Sequence, residues 1–221
     1  MSIANHKNLK VSLLIEFHRA NNPVREKITK FGGQPVWSDS PAWPLSTATG
    51  KPMTFICQVK IEKDMFPDAT GEMAYIFMTD DDPETYLPEG GENAVIIQPG
   101  NIPSFINIST TSTGPTIEQE FNVNLIPVSE PFQSVSECRQ FLTAQPEDQQ
   151  GKYYEMFART KIGGTPMFIQ GEEFPEGEEW MPLLQINSGD VPFDINFGDS
   201  GTAYIFINKK GNEGRMLWQC F

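Results

Sequence analysis

Two glutamines occupy positions at which a side-chain amide must bind something. Gln58 and Gln185 each lie within a short apolar run that is typical of a β-strand. Because an amide buried among apolar groups without hydrogen-bond partners is costly, each glutamine needs partners. We expect each one to cap backbone groups of a Gly-Gly-x-Pro turn, Gly32–Pro35 for Gln58 and Gly163–Pro166 for Gln185. Ligand binding is the alternative.

Two tryptophans stand shortly before the same apolar runs. Trp43 directly precedes a proline, and Trp180 lies two residues before another. Both are either anchors of the core or walls of a binding site, since ligand pockets combine aromatic side chains with a few polar groups. The second interpretation predicts a ligand pocket at the junction of two halves of the chain. Its predicted residues are Trp43, Gln58, Trp180, Gln185 and Asp199.

The run Gly198-Asp199-Ser200-Gly201 has the residue types of a serine nucleophile loop. A catalytic serine needs a histidine that accepts its proton and an acid that orients the histidine. The sequence contains two histidines, His6 and His18, and both lie in an N-terminal segment that we predict to be helical. We therefore predict no catalytic residue, and we interpret the run as a tight turn before a strand.

Acidic and sulfur-containing residues lack the spacing of metal sites. The run Asp80-Asp81-Asp82, followed by Glu84, has Thr85 where a calcium loop requires a glycine. Three cysteines are too widely spaced to form a CxxC pair: Cys57, Cys138 and Cys220. We predict no metal and no cofactor.

The formal net charge of the 221-residue chain is −13. Nucleic-acid binding relies on Lys and Arg to neutralise phosphates, so this charge argues against a nucleic acid and against an anionic membrane surface. No apolar run approaches the ~20 residues of a membrane span. We expect a cytoplasmic protein whose acidic surface suits a basic protein partner. The acidic run over residues 172–179 is predicted to be an exposed loop that offers such a surface.

Four blocks of sequence recur in the same order. Thr29–Trp37 matches Thr160–Phe168, and the glutamine-bearing runs follow each copy. Two further strand-like runs then match: Ala74–Phe77 with Ala203–Phe206, and Val95–Gln98 with Met216–Gln219. We predict an α+β, β-rich fold in which a unit of helix, Gly-Gly turn and small antiparallel or mixed sheet is duplicated. The two halves would pack as one globular body.

Apolar spacing and capping residues define the expected boundaries. We predict one domain over residues 1–221 that comprises an N-terminal helix at 7–19, a first unit at about 24–100, a connecting segment at 101–146 and a second unit at about 147–221. Short helices are expected at 24–29, 134–143 and 147–158, because each has a helical start or stop signal.

The chain resembles the YwqG-like family of bacterial proteins, a domain of unknown function. The segments that carry the resemblance are Phe31–Pro35, Pro41–Pro44, Met53–Gln58, Leu183–Ile186 and Phe197–Gly201, the last of which leads into Tyr204–Phe206. The resemblance implies one globular body of two similar halves and no established enzymatic activity. Family members are similar to proteins sometimes encoded near bacterial toxin and immunity genes.

Three functional hypotheses follow. The first is a non-enzymatic protein-binding module, immunity-like or regulatory, that uses an acidic surface. The second is a small-ligand-binding protein or carboxylate-based enzyme with its site between the two halves. The third is a subunit whose exposed β edge pairs with another copy. The oligomeric state is left open.

Overall fold

A ten-stranded antiparallel sheet forms the body of the protein. The computed structural model describes residues 9–80 and 84–221. Its strands are β1 (Lys10–Arg19), β2 (Lys30–Phe31), β3 (Trp43–Leu45), β4 (Thr54–Lys60), β5 (Met73–Met78), β6 (Asn93–Gln98), β7 (Asn107–Ser109), β8 (Phe121–Glu130), β9 (Lys161–Gly163), β10 (Trp180–Asn187), β11 (Thr202–Asn208) and β12 (Gly214–Gln219). Two helices, α1 (Val135–Thr143) and α2 (Glu147–Phe157), separate β8 from β9.

The strand order is symmetric about a central pair. It runs β12-β11-β10-β9-β1-β8-β2-β4-β5-β6, and β3 pairs with β7 in a separate two-stranded sheet. We call β2, β4, β5 and β6 the N-terminal arm, and β9, β10, β11 and β12 the C-terminal arm. The long strands β1 and β8 pair over their full length and join the two arms. The matching sequence blocks therefore lie in corresponding strands of the two arms.

The two edge strands, β6 and β12, approach each other and nearly close the sheet. Gly214 permits this approach, because a Cβ added there would lie 2.3 Å from a methyl carbon of Val95. At the adjoining end of the sheet, backbone hydrogen bonds join the loops of the two arms: Thr70 N to Lys210 O (2.7 Å) and Gly71 N to Gly211 O (3.1 Å). We call this the closed end, and the opposite end the open end.

Both faces of the sheet are covered. Alternate residues of the strands point into one cluster that contains side chains from both arms, such as Ile76 and Ile205. The other residues form separate outer clusters, one around Trp43 and Phe77 on the N-terminal arm and one around Trp180 on the C-terminal arm. Strands β5, β6 and β11 are consequently buried throughout their length.

The predicted α+β class with a duplicated helix and sheet unit is wrong. Strands take 35% of the described residues and helices 10%, and one nearly closed antiparallel sheet replaces two small ones. The N-terminal helix at 7–19 is also wrong, since residues 10–19 form β1 and residues 7 and 8 lie outside the described part of the chain. The apolar residues Leu13, Ile15 and Phe17 alternate as a strand requires, and β8 supplies the partner. Residues 24–29 form neither helix nor strand.

The helix predictions after β8 are confirmed. Ser134 is the N-cap of helix α1, and its hydroxyl accepts a hydrogen bond from the amide of Glu137 (3.2 Å). Helix α2 begins with Glu147 and Asp148 in its first turn, where negative charge is favoured. Within the described residues, no helix has the length and apolar character needed to cross a bilayer.

Candidate functional site

A buried lysine fastens the Gly-Gly-x-Pro turn of the C-terminal arm. The Lys161 side chain is 1% exposed, and its Nζ donates to Thr165 O (2.8 Å) and to Glu130 Oε1 (2.7 Å). The second oxygen of Glu130 accepts from the Thr165 amide (2.7 Å). Burial lowers the pKa of Lys161, and the Glu130 charge partly opposes that shift. Because Lys161 Nζ and both oxygens of Glu130 have hydrogen-bond partners in this buried site, the geometry points to a structural role for the pair.

The N-terminal arm contains a corresponding lysine. Lys30 Nζ donates to Gln34 O (2.7 Å) and to Gly32 O (3.3 Å), and it forms an ion pair with Glu120. Burial lowers the pKa of Lys30, whereas the hydrogen bond and charge of Glu120 act in the opposite direction. The Glu120 side chain is 14% exposed, so this pair reaches the protein surface.

The two glutamines bind backbone groups that flank the turns. Gln58 Oε1 accepts from the Val36 amide, and Gln185 Oε1 accepts from the Met167 amide, both at 2.8 Å. Val36 and Met167 each follow the proline of their turn. The side-chain amides donate to backbone carbonyls just before the turns, at Ile28 for Gln58 and at Phe157 and Arg159 for Gln185. Each glutamine therefore binds backbone on both sides of its turn rather than groups within Gly32–Pro35 or Gly163–Pro166, which is a correction to the predicted cap.

The other predicted pocket residues lie in different places. Trp43 is fully buried and donates to Met53 O (2.8 Å), while Trp180 donates to Glu176 O (3.2 Å) in the other arm. Asp199 is exposed in the connection between β10 and β11. None of the five predicted residues lines the large cleft at the open end of the sheet. A ligand role for that set stays a prediction.

A cleft of about 730 Å³ occupies the open end of the sheet. It lies between the ends of β4 and β5 in the N-terminal arm and β12 with the connection 188–201 in the C-terminal arm. Its polar groups include two carboxylates, Asp80 and Asp194. Its apolar wall includes Ile56, Ile117 and the ring of Trp218.

The connection 188–201 is held against the core by aromatic side chains. Phe197 is fully buried, and the ring of Phe193 packs against Phe31 with 5.9 Å between centroids. Gly198 has φ +81°, and a Cβ there would lie 2.9 Å from the Trp218 ring. A glycine at this point therefore lets the connection approach the cleft wall closely.

Ser200 lies in a turn of the same connection. Its φ is +48°, and its hydroxyl is 3.4 Å from Asp199 Oδ1, which is a weak hydrogen bond at most. His18 contacts Asn124 on the central strands (2.9 Å), and His6 lies outside the described residues. The arrangement fits the predicted tight turn before β11.

The cleft is rich in hydrogen-bond acceptors. Thr54 Oγ1 donates to Asp80 Oδ2 (3.1 Å), and no Lys or Arg occurs among the described lining residues. The indole N–H of Trp218 is buried and has no hydrogen-bond partner in the described structure. Such a lining can bind a ligand that carries a positive charge and an apolar body.

Metal binding has little support in the described residues. No group of three or more His, Cys, Asp or Glu side chains there is arranged to hold a metal ion. Asp81 and Asp82, which continue the acidic run from Asp80, lie outside the described residues. The groups of the described cleft that can bind a ligand by charge or ring contact are Asp80, Asp194 and the Trp218 ring.

Sequence reasoning missed both the buried ion pairs and the cleft. A lysine within an otherwise apolar repeated block, at Lys30 and Lys161, is a signal that a buried partner exists. No corresponding signal marks Asp80, Asp194 or Trp218, because these residues come from separate segments of the chain.

Comparisons with known proteins identify a family. A family model described as a domain of unknown function, DUF1963, matches residues 29–213. No curated protein matches the chain. The matched range includes both glutamine-capped turns and the central strand β8, and it stops within the turn before β12. The chain belongs to the family defined by this domain of unknown function, DUF1963.

Proposed function

We propose that the protein binds a small organic cation in the open-end cleft. The observation that carries this proposal is the lining of the cleft, which combines the Asp80 and Asp194 carboxylates with an aromatic wall and lacks basic residues in its described part. Its volume of about 730 Å³ lies within the range of small-molecule sites, roughly 300–1,000 Å³.

The chemistry of the lining defines the ligand class. A carboxylate accepts charge-assisted hydrogen bonds from an amine or guanidine, which are stronger than neutral ones. The Trp218 ring can contact a cation through its π face. The rings of Tyr86 and Trp218 form a T-shaped pair with 5.7 Å between centroids. Ile56 and Ile117 offer apolar contact to the body of the ligand. An amine with an apolar or aromatic body meets all these groups.

Calorimetric titration with phenethylamine, agmatine and choline tests the proposal, and phenylacetate serves as the anionic control. We expect saturable binding of at least one cation and none of phenylacetate. Asp194→Asn should weaken that binding about 10-fold or more, equivalent to about 1.4 kcal/mol. The matched control is Asp68→Asn, since Asp68 is exposed near the closed end and should leave the affinity within about twofold of wild type.

Two results would count against cation binding. One is the absence of a binding signal with all three amines at millimolar concentration. The other is equal loss of affinity in Asp194→Asn and Asp68→Asn, which would indicate non-specific attraction to a protein of charge −13.

A second candidate function is a non-enzymatic, immunity-like or regulatory module that binds a basic protein. The exposed acidic segment before β10 supports it, because five glutamates project from a short loop: Glu172, Glu173, Glu176, Glu178 and Glu179. Replacing all five with glutamine should abolish retention of a native basic partner on the immobilised protein. Retention that persists, or that does not weaken with salt, would exclude this surface.

We also propose that the chain is a YwqG-like protein and that it lies in the cytoplasm. The resemblance to YwqG-like proteins rests on segments that lie mainly within the DUF1963 match. A cytoplasmic location is supported by three cysteines that all remain free thiols. Fluorescence microscopy of a tagged chain in its native host tests the location, and signal confined to the envelope would contradict it.

A further inference from the structure

The turns of the two arms differ in what covers them. In the C-terminal arm, every residue from Lys161 to Phe168 is buried. In the N-terminal arm, the corresponding stretch from Gly33 to Trp37 is partly open: Gln34 is exposed, and Val36 and Trp37 are half-buried. The two turns share their lysine, glutamine and tyrosine contacts. In the N-terminal arm the Gln34 side chain also pairs with the backbone of Gly114 (2.9 and 3.1 Å), so a loop segment rather than a helix lies beside that turn.

Helices α1 and α2 form the cover of the C-terminal turn. Cys138 of α1 and Phe157 of α2 belong to one buried cluster with Met167, the residue after the turn proline. Val135, one helical turn before Cys138, joins the cluster of Phe168. Val135 and Cys138, at positions i and i+3 of α1, thus form an apolar helix face that packs on this turn.

A cleft of about 660 Å³ lies over the N-terminal turn instead. Its floor is the turn itself with Val36 and Trp37, and Val24 forms one wall. Two charged residues, Arg25 and Glu120, contribute to its lining. We call this cleft the turn groove. It is separate from the open-end cleft, with which it shares no lining residue.

We propose that the turn groove docks a short amphipathic helix of a partner protein, in the position that α1 and α2 take on the C-terminal arm. The same turn, capped by the same glutamine contact, already binds a helix within this chain. Val36 stands where Met167 stands, and Trp37 stands where Phe168 stands. The floor of the groove is therefore an apolar surface made by Val36 and Trp37. Such a surface suits the apolar face of a helix.

The charge of the groove defines the rest of the partner helix. Glu130, the carboxylate of the C-terminal turn, is fully buried, whereas the Glu120 side chain remains 14% exposed. A Lys or Arg at the edge of the partner's apolar face can reach this carboxylate. The overall charge of −13 favours a basic helix for the same reason.

The test uses a probe that copies the chain's own covering helix. A fluorescein-labelled peptide spans residues 134–143 and carries Ser136→Glu and Gln140→Lys, and a lactam bridge between these two exposed positions holds it helical. Fluorescence anisotropy with the full-length protein should show saturable binding. Val36→Lys should weaken this binding at least 10-fold, because it places a charge on the groove floor without removing the Val36 backbone bonds.

The matched control is Val11→Lys, since Val11 is 44% exposed on β1 and lines neither cleft. Its affinity should stay within twofold of wild type, and a probe with Val135→Glu should not bind. Thermal melts establish that both protein variants are folded. Hydrogen exchange should slow at residues 33–37 when the probe binds.

Three outcomes would overturn the proposal. The first is no saturable binding of the probe to the folded wild-type protein. The second is equal affinity of wild type and Val36→Lys. The third is a concentration-dependent dimer that Val36→Lys abolishes, because the occupant of the groove would then be a second copy of this chain. Amine binding in the open-end cleft is unaffected by any of these results, so the two proposals fail separately.

Discussion

The two arms build the same turn with carboxylates from different positions of the chain. Glu120 precedes β8 and serves Lys30, whereas Glu130 ends β8 and serves Lys161. In the register of β8 and β2, Phe121 faces Phe31, so Glu120 is next to Gly32. In the register of β1 and β9, Ser12 faces Gly163, which is the residue that corresponds to Gly32. Ser12 therefore takes the place of Glu120. A buried lysine thus requires a carboxylate nearby, but the carboxylate can come from either end of β8.

The remaining contacts of the two turns agree closely. Tyr75 donates its hydroxyl proton to Val36 O at 2.8 Å, and Tyr204 donates to Met167 O at 2.7 Å. The ring after each turn packs on that tyrosine with 4.7 Å between centroids in both arms. Two differences between the arms remain. They are the position in the chain of the carboxylate and the segment that covers the turn. Four experiments test whether those differences matter.

The largest effect is expected from removing the carboxylates. Glu130→Ala leaves a fully buried lysine without its counter-charge, which should lower the free energy of unfolding by about 3–5 kcal/mol. Glu120→Ala should cost less, about 1–3 kcal/mol, because Glu120 is partly exposed and water can approach Lys30 once the carboxylate is gone. Urea unfolding followed by circular dichroism measures both. Equal losses would show that the cover over the C-terminal turn has no energetic consequence.

Exchanging the rings tests the cover directly. Phe168→Trp adds atoms to a site closed by α1 and should destabilise by about 1–3 kcal/mol through overpacking. Trp37→Phe removes the hydrogen bond from the indole N–H to Ser112 O (3.1 Å) at an open site and should cost about 1 kcal/mol. The same unfolding assay applies. A larger loss for Trp37→Phe would reverse the comparison.

Moving the carboxylate makes the arms alike. In the Glu130→Ala background, Ser12→Glu places a carboxylate at the position that corresponds to Glu120. The Ser12 Cβ lies 2.7 Å from an ideal Cβ at Gly164, so position 12 faces the turn. We expect this second substitution to restore about 1–2 kcal/mol. Ser12→Gln is the uncharged control, and equal rescue by both would show that charge is not what the turn needs.

The smallest effect concerns pH. Burial raises the pKa of Cys138, on the covering helix, from its ordinary value of 9.0 to about 11. The unfolded thiol loses its proton near pH 9 while the folded one keeps it, so stability due to Cys138 is present below pH 9 and is lost as pH rises toward 11. Unfolding free energies of wild type and Cys138→Ala should converge from pH 8 to pH 11. A constant difference would contradict the assignment.

Local features of the sequence were sufficient for α1 and α2 and for the expectation that each glutamine binds backbone groups near its own turn. Ser134 caps α1 within one turn of helix, and each glutamine lies within 30 residues of the backbone groups that it binds. β1 was mistaken for a helix because Leu14 adds a helical spacing to the alternating Leu13 and Ile15. Segment 10–19 forms a strand because it pairs with β8, which is far away in the sequence. His18 of β1 and Asn124 of β8, for example, are in contact but lie 106 residues apart.

The residues of the open-end cleft were beyond local reasoning for the same reason. Asp80 and Asp194 are exposed acidic residues like many others in this chain, and only closure of the sheet brings them to one cleft with Trp218. The pocket predicted from the sequence consists largely of residues that the fold uses in its outer clusters and turn caps.

The residues of each Gly-Gly-x-Pro turn, its lysine and its glutamine specify a local geometry that the chain builds twice, because each group satisfies its hydrogen bonds mostly within its own arm. Which carboxylate reaches each lysine, which turn receives the helices and where a cleft stays open depend on how β1 and β8 join the arms. Those pairings link distant segments through backbone hydrogen bonds that every residue can make, and so residue types alone do not specify them.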